Sequence, residues 1–371
     1  MRRGERGRLP PVPPIGEGSL VSPIEQRRVS RREWNEFFSI ANGFFSTQVL
    51  SAACKLDLFT VLERRPGLTR EEVAAELKLA PRGARILLLG CATIGLVEVD
   101  PVSRRYVNSA LSSRFLVQGQ PDCAIDYIYY VKDMQQRFMM ELEPSLREGT
   151  NRCLDVVPGS GDTLYKKIAG NPELESLFHR GMAAYSRIAK HLVPIPHFAQ
   201  SRHVLDVGGG DGTNAITLCR EHSHLEVTLF DLPEISKRAQ EHAQSAGFGD
   251  RIRFVAGDML RDEWPRGVDT VLLSHIVEIF DEPTISKLYA KARGCLTADG
   301  MLVIRTMSAN DLETGGLQAA KSSLYFLALA SGEGMCHPAS DHVRWLRAAG
   351  FRDVEVIQAE TDQVALIARP S

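Results

Sequence analysis

The chain has 371 residues, 44% of them apolar, a composition that supports a folded core and excludes a mostly disordered protein. Its formal net charge of −2 lacks the basic excess of nucleic-acid binders, and no apolar run is long enough to cross a membrane. Seven cysteines are scattered without a CxxC pair, which fits a reducing cytoplasm better than a disulfide framework or a zinc ribbon. We therefore expect a cytoplasmic protein that binds neither nucleic acid nor membrane.

The first 112 residues predict a leader and a small helical domain. Residues 1–30 are rich in Arg, Pro and Gly and lack the apolar stretch of a secretory signal, so we expect a disordered leader. Within 31–112, Thr69–Glu72 is a capping box and Pro81 opens an apolar helix. Two short strands then follow, Gly95–Asp100 and Arg105–Asn108, and together these elements form a winged-helix outline.

The helix that begins at Pro81 indicates whether this winged-helix outline binds DNA or serves packing and dimerisation. A DNA-reading helix needs several basic residues to neutralise phosphates, and this one offers only Arg82 and Arg85 in an apolar run. A packing and dimerisation domain is therefore favoured over a DNA-binding one.

Residues 113–198 predict a connector of long helices with an aromatic and Met-rich stripe. The stripe fits plain core and it equally fits the lining of an apolar substrate pocket, and the pattern leaves both interpretations open. Its members are Tyr127, Tyr129, Tyr130, Met134, Phe138, Met139 and Met140.

Residues 199–371 alternate between strands and helices, which predicts an α/β domain with a mostly parallel sheet covered on both faces. Ligands of such sheets bind at the carboxyl ends of the strands. The predicted strands are His203–Val207, Glu226–Phe230, Arg253–Val255, Thr270–Ser274, Met301–Thr306 and a final antiparallel pair, Val354–Ala359 and Gln363–Ala368.

A glycine-rich turn follows the first of these strands. Gly208, Gly210 and Gly212 allow a tight turn and close approach to a ligand, a signal shared by several nucleotide-binding sites. Asp206 stands before the glycines, where a carboxylate can pair with an ammonium group but would repel a pyrophosphate. The turn thus favours a cationic adenosine ligand over a dinucleotide.

Two further acids support the prediction of a cationic adenosine ligand. Asp231 ends the second strand, where it can accept both hydroxyls of a ribose. Asp258 follows the third strand, placed to meet an adenine amino group, and Met259 can pack on the ring. Three acids at successive strand ends behind one glycine turn predict an S-adenosylmethionine (SAM) site.

From about Glu36 to Pro370 the chain resembles the small-molecule O-methyltransferases, class I SAM-dependent enzymes that include acetylserotonin and caffeate methyltransferases. The similarity rests on Asn42–Leu50, Leu205–Gly212, Phe230–Pro233, Gly257–Met259 and Ala348–Phe351. It implies a Rossmann-like SAM domain, an N-terminal winged-helix dimerisation domain and a homodimer. The implied SAM-binding residues are Asp206, Gly208, Gly210, Asp231, Leu232, Asp258, Met259 and Ser274.

The chain departs from this family where the catalytic residues stand. Glu278 occupies the position of the family's general-base His, and His275 lies three residues earlier, where the family often contacts the cofactor. Cys336 and His337 replace an acid and an Arg of a later motif, and Arg305 replaces a third acid.

These replacements leave several roles open. We predict Glu278 as base or orienting acceptor, His337 as a second polar contact or base, and Arg305 as an anchor for an anionic group. Arg305 equally fits a buried ion pair with Glu278.

The function predicted on this basis is methylation of a small, secondary-metabolic acceptor on oxygen or carbon. One alternative is metal-assisted C-methylation of a 2-oxo acid, with Glu278, His337 and His275 as ligands beside Cys336. Another is a SAM-binding protein that transfers no methyl group. A metal-free enzyme is the main expectation, because no metal-ligand spacing occurs on one element.

Overall fold

The computed structural model describes residues 29–189, 195–359 and 361–370. The predicted leader, 1–30, therefore lies outside the described residues except for its last two positions. The chain divides into two units, Met1–Ser46 and Thr47–Ser371. Among the described residues no helix is long and apolar enough to span a membrane.

Two helices open the described chain, α1 (Arg31–Ala41) and α2 (Gly43–Lys55). The first begins with a capping box, in which Ser30 and Glu33 each accept a hydrogen bond from the other's backbone N–H. No residue of α1 is buried, and this includes its large apolar side chains: Phe37 is 64% and Ile40 84% exposed. This helix therefore carries an uncovered apolar face.

The predicted winged-helix outline is confirmed in the second unit. The capping box of Thr69 and Glu72 starts a helix, Pro81 starts the next one, and an antiparallel hairpin follows. Buried apolar side chains such as Leu58 and Leu88 give this part its own core. Its elements are α3 (Leu58–Arg64), α4 (Arg70–Glu76), α5 (Pro81–Thr93), β1 (Val97–Val99) and β2 (Tyr106–Asn108).

The prediction of long helices between 122 and 187 holds for the continuous helical backbone of residues 125–138 and for the last helix, and it is wrong between them, where the helices are short. Glycines with positive φ, such as Gly149 and Gly170, follow the ends of helices there. The elements are α6 (Ala110–Phe115), α7 (Ile125–Tyr130), a π-helix (Val131–Gln136), α8 (Glu143–Glu148), a 3₁₀ turn (Arg152–Val156), α9 (Leu164–Ile168) and α10 (Pro172–Ala189).

A seven-stranded sheet forms the rest, in the order β5-β4-β3-β6-β7-β9-β8. Strands β3 to β7 pair in parallel and β8 pairs antiparallel with β9, as predicted. Strand β9 also pairs antiparallel with β7. The strands are β3 (His203–Val207), β4 (Glu226–Asp231), β5 (Ile252–Ala256), β6 (Val268–Ser274), β7 (Leu296–Met307), β8 (Asp353–Gln358) and β9 (Gln363–Arg369).

Helices cover both faces of the sheet, since successive strand residues join different cores. Val204 packs with α11 (Thr213–Glu221) and α12 (Pro233–Ser245). Leu205 belongs to the cluster that includes α13 (Glu282–Cys295) and α15 (Ala339–Ala348). The parallel strands thus end together at one edge, where a ligand site is expected.

A fourth core joins the connector to the segment after β7. Helix α14 (Leu317–Tyr325) runs directly into a second π-helix (Phe326–Ala330). Tyr325 and Phe326 pack in one cluster with Tyr130 and the residues around it. The connector therefore lies beside the chain that leaves the carboxyl end of β7.

Candidate active site

The glycine turn after β3 is shaped for close approach. Gly208 has a φ of 70°, and a Cβ on it would lie 2.4 Å from Cδ1 of Ile276 and 3.0 Å from Cε of Met259. Only glycine fits both the backbone conformation and the space. Gly208 and Gly210 line a cavity of about 590 Å³, as do Asp231, Met259 and Ser274.

Asp206 lies directly behind this turn, with Oδ2 only 2.7 Å from the position that a Cβ on Gly209 would take. The residue is fully buried, and neither carboxylate oxygen has a hydrogen-bond partner among the described residues. Burial, strengthened by the charge of Asp231 and opposed by Arg305, raises the pKa of Asp206 to about 7. Two orphaned acceptor oxygens fit the ammonium of a methionyl group bound at the turn.

Asp231 presents its carboxylate at the end of β4. Its Oδ2 accepts a hydrogen bond of 2.9 Å from the N–H of Gly210, and its Oδ1 accepts one of 2.7 Å from Leu232. Burial raises the pKa of Asp231 despite these two donors. The turn and the acid are thereby held together on the cavity wall.

Three of the predicted SAM-binding residues do not line the cavity: Asp206, which is buried behind the turn, Leu232 and Asp258. Leu232 is 48% exposed and does not line the cavity. Asp258, two residues beyond β5, accepts from the N–H of Leu260 at 2.8 Å and pairs with Arg261 at 3.5 Å. Its neighbour Met259 does line the cavity.

Aromatic side chains make the other half of the same cavity. Tyr127 and Tyr130 of the predicted stripe line it, whereas Met134 and Phe138 are core residues and Met140 is 68% exposed. Tyr127 and Tyr130 therefore fit the pocket interpretation, whereas Met134 and Phe138 fit the core interpretation. Helix α10 and the second π-helix complete the wall with Phe178, Met182, Tyr185 and Phe326.

His275 and Glu278 form a pair where the two halves meet. Nδ1 of His275 lies 2.8 Å from Oε1 of Glu278, and Oε2 of Glu278 accepts a hydrogen bond of 2.9 Å from the Thr306 hydroxyl. Glu278 is 1% exposed, and His275 lines the cavity with Nδ1 already engaged. A histidine held in this way presents Nε2 to a ligand.

Arg305 also lines the cavity, at the carboxyl end of β7. Its main electrostatic partner is Asp206, and burial lowers the pKa of its guanidinium. Glu278 meanwhile accepts from His275 and Thr306, so this arrangement does not favour the predicted Glu278–Arg305 ion pair.

His337 is placed apart from the other predicted catalytic residues. Its ring packs against Trp345 at 4.9 Å and His342 at 6.1 Å, and it does not line the cavity. Burial lowers its pKa, and Cys336 beside it is fully buried. Among the described residues no group of three His, Cys, Asp or Glu side chains could hold a metal, so the predicted set of Glu278, His337 and His275 is not assembled.

Sequence reasoning underrated two residues of the site. His275 was assigned to cofactor contact or metal ligation, and Tyr185, whose ring meets that of His275 at 6.0 Å, was not singled out. The positive φ of His275, 57°, turns its side chain toward Glu278, and nothing in the sequence signals that conformation.

Comparisons with known proteins agree with this geometry. An O-methyltransferase domain model matches residues 139–352, and an O-methyltransferase dimerisation domain model matches residues 38–118. L-tyrosine C(3)-methyltransferase of Streptomyces lavendulae is 34% identical over 310 residues, 83% of this chain and 84% of that protein. The 3-hydroxy-5-methyl-1-naphthoate 3-O-methyltransferase of Streptomyces sahachiroi is 31% identical over 320 residues, 86% and 90% of the two chains.

A solved structure is similar along almost the whole chain. The SAM-dependent methyltransferase SibL, in its apo form, superimposes with a TM-score of 0.81 at 34% identity, covering 91% of this chain and 100% of that one. The chain belongs to the O-methyltransferase family and is a SAM-dependent methyltransferase of small molecules.

Proposed function

We propose that this enzyme methylates a monocyclic phenol at the ring carbon next to the hydroxyl, with His275 as the base. The observation that carries the proposal is the chain of hydrogen bonds from Thr306 through Glu278 to His275, which ends at the cavity. A carboxylate that accepts from Nδ1–H fixes the tautomer in which Nε2 has a lone pair.

The proton movements balance as follows. Nε2 of His275 accepts the phenol proton, which leaves negative charge on the oxygen and on the neighbouring ring carbons. That carbon displaces the methyl group from the donor sulfur, its own hydrogen leaves as a proton to solvent water, and His275 returns the phenol proton to the oxygen. Glu278 stabilises the imidazolium while it is charged.

Bound SAM supplies the methyl group as an electrophile. We assign its methionyl ammonium to Asp206, its carboxylate to Arg305 next to Asp206, and its ribose hydroxyls to Asp231. Met259 would pack on the adenine ring, as the sequence predicts. Arg305 thus keeps its predicted role as an anion anchor, with the donor in place of the acceptor as the anion.

Three observations favour a small aromatic acceptor and carbon as the target. The cavity of about 590 Å³ is shared by donor and acceptor, which favours a small acceptor. A relative that is 34% identical is named as a tyrosine C(3)-methyltransferase. Tyr127 and Tyr185, with ring centroids 5.5 Å apart, offer flat faces to an aromatic ring.

The test is methyl transfer from methyl-labelled SAM to L-tyrosine and a panel of simple phenols, with products analysed by mass spectrometry and NMR. We expect a carbon-bound methyl group ortho to the hydroxyl, lost in His275→Asn and kept in His224→Asn, an exposed control. A product with an O–CH₃ group would contradict carbon as the target. Full activity of His275→Asn would show that His275 is not the base.

We also propose a homodimer, with the face of α1 as part of the contact. Phe37 and Ile40 are 64% and 84% exposed on α1, Phe44 is 58% exposed at the start of α2, and residues 38–118 match a dimerisation domain. Light scattering after size exclusion should give twice the chain mass. Ile40→Asp should shift the species toward monomer, and Ser39→Asp, one residue away, should not; a wild-type monomer would refute the proposal.

A further inference from the structure

The aromatic half of the cavity contains a cluster of hydroxyl groups. Tyr130 and Tyr325, 1% and 7% exposed, have ring centroids 6.4 Å apart, and Tyr165 also lines the cavity, with its hydroxyl close to that of Tyr325. Nε2 of Gln135 donates to the Tyr130 hydroxyl at 3.3 Å. Phe178 packs edge-on against the rings of Tyr130 and Tyr165 and closes the cluster.

One of these hydroxyls is incompletely satisfied. The Tyr325 oxygen is buried and interacts with the hydroxyls of Tyr130 and Tyr165, but none of the described residues meets full hydrogen-bond geometry with it. A buried hydroxyl without a well-formed hydrogen bond costs free energy that a ligand can recover. Its place on the cavity wall makes a bound acceptor the candidate partner.

The backbone around the cluster is unusual in the same place. Tyr130 immediately precedes the π-helix Val131–Gln136, and Tyr325 immediately precedes the π-helix Phe326–Ala330. π-Helices are rare and occur frequently at functional sites. Because each begins directly after a tyrosine of the cluster, the two π-helices indicate a shaped binding surface.

We infer that this cluster is a subsite for a second, uncharged oxygen of the acceptor, such as a carbonyl, and that the Tyr325 hydroxyl donates to it. Tyr130, Tyr165, Tyr325 and Gln135 supply donors and no positive charge, so a carboxylate would be buried there without a counter-ion. Burial raises the pKa values of the three tyrosines, so their hydroxyls stay protonated at neutral pH. The inference rests on the proposed function and adds the class of substituent.

The experiment measures binding to protein saturated with S-adenosylhomocysteine, which separates the subsite from catalysis. The probes are 3- and 4-hydroxyacetophenone, the matching isopropylphenols and the matching hydroxybenzoates. We expect one ketone isomer to bind about tenfold more tightly than its alkyl counterpart, and the benzoates to bind most weakly.

Tyr325→Phe, which removes only the hydroxyl, should abolish the ketone preference. Tyr129→Phe, next to Tyr130 but off the cavity wall, should keep it. An unchanged preference in Tyr325→Phe, or no binding of any probe to the wild type, would overturn the subsite. If a ketone probe binds preferentially but no phenol is methylated, the subsite would stand and only the proposed function would be refuted.

Discussion

Nδ1 of His275 stands 2.8 Å from a carboxylate oxygen of Glu278, three residues along a turn that His275 enters with a left-handed backbone. Both side chains line the cavity, but Glu278 is buried and His275 is half-buried, so the imidazole is the more exposed of the two. The pair combines a buried orienting group with a more accessible base.

The first prediction concerns this pair. His275→Asn should lower kcat about 100-fold or more, because a positioned base contributes on that scale. Glu278→Gln should lower kcat strongly as well, since an amide does not stabilise the imidazolium. Its folding should be preserved, because the Thr306 hydroxyl can donate to the carbonyl of Met307 at 3.2 Å instead.

The control for both variants is affinity for S-adenosylhomocysteine, measured by calorimetry. It should stay within about threefold of wild type, since neither side chain is assigned to the donor. A loss of donor affinity that matches the loss of kcat would show that the pair shapes the donor site instead.

The second prediction is that Asp206 lowers the stability of the ligand-free protein while it strengthens donor binding. Its pKa in the folded protein, about 7, lies above the ordinary value of 3.8, so ionisation of Asp206 at higher pH destabilises the ligand-free fold. Asp206→Asn should therefore raise the melting temperature of the free protein at pH 8 by a few degrees while weakening donor binding. Asp250→Asn, exposed on a loop, should change neither quantity.

The third prediction is a pH dependence of donor binding. Below pH 7 the free protein carries a proton on Asp206 that an incoming ammonium must displace. Affinity for S-adenosylhomocysteine should thus fall up to tenfold per unit between pH 7 and 5.5. Methylthioadenosine, which lacks the amino-acid group, should show no such slope, and an equal slope for both ligands would exclude Asp206 as its source.

Arg305 should control the midpoint of that dependence. Its positive charge opposes the rise in the pKa of Asp206, so Arg305→Met should move the midpoint to a pH above 7 and weaken binding at neutral pH. Binding titrations across the same pH range measure both effects. If KM for the acceptor rises and donor binding is unchanged, Arg305 anchors the acceptor as first predicted.

The fourth prediction separates two reasons for glycine at position 208. Gly247 has a φ of 80° with open space around it, so Gly247→Ala should cost only the left-handed strain of about 1–2 kcal/mol. Gly208→Ala adds a clash with Ile276 and should cost more stability and abolish donor binding. Urea unfolding and calorimetry would test this, and equal behaviour of the two variants would contradict it.

The sheet and the donor turn could be predicted from the sequence because their signals are local. Strand periodicity, the capping box at Thr69 and the glycines around Asp206 each depend on neighbouring residues. The acceptor half could not, because its wall is built from segments nearly 200 residues apart, such as Tyr127 and Phe326. Position-by-position comparison predicted Glu278 as base or orienting acceptor, but it could not predict the backbone conformation of His275 that brings its imidazole to the cavity beside Glu278.

The two π-helices have a consequence for how this enzyme could change over evolution. A π-helix is equivalent to an α-helix with one extra residue, so deletion of a single residue within Val131–Gln136 or Phe326–Ala330 would restore α-helical winding. Side chains on one side of the deletion would then rotate by about 100° relative to those on the other. Gln135 and Phe326 would leave the wall while the sheet and its glycine turn stayed as they are. A one-codon deletion is therefore a short route to a new acceptor with an unchanged methyl donor.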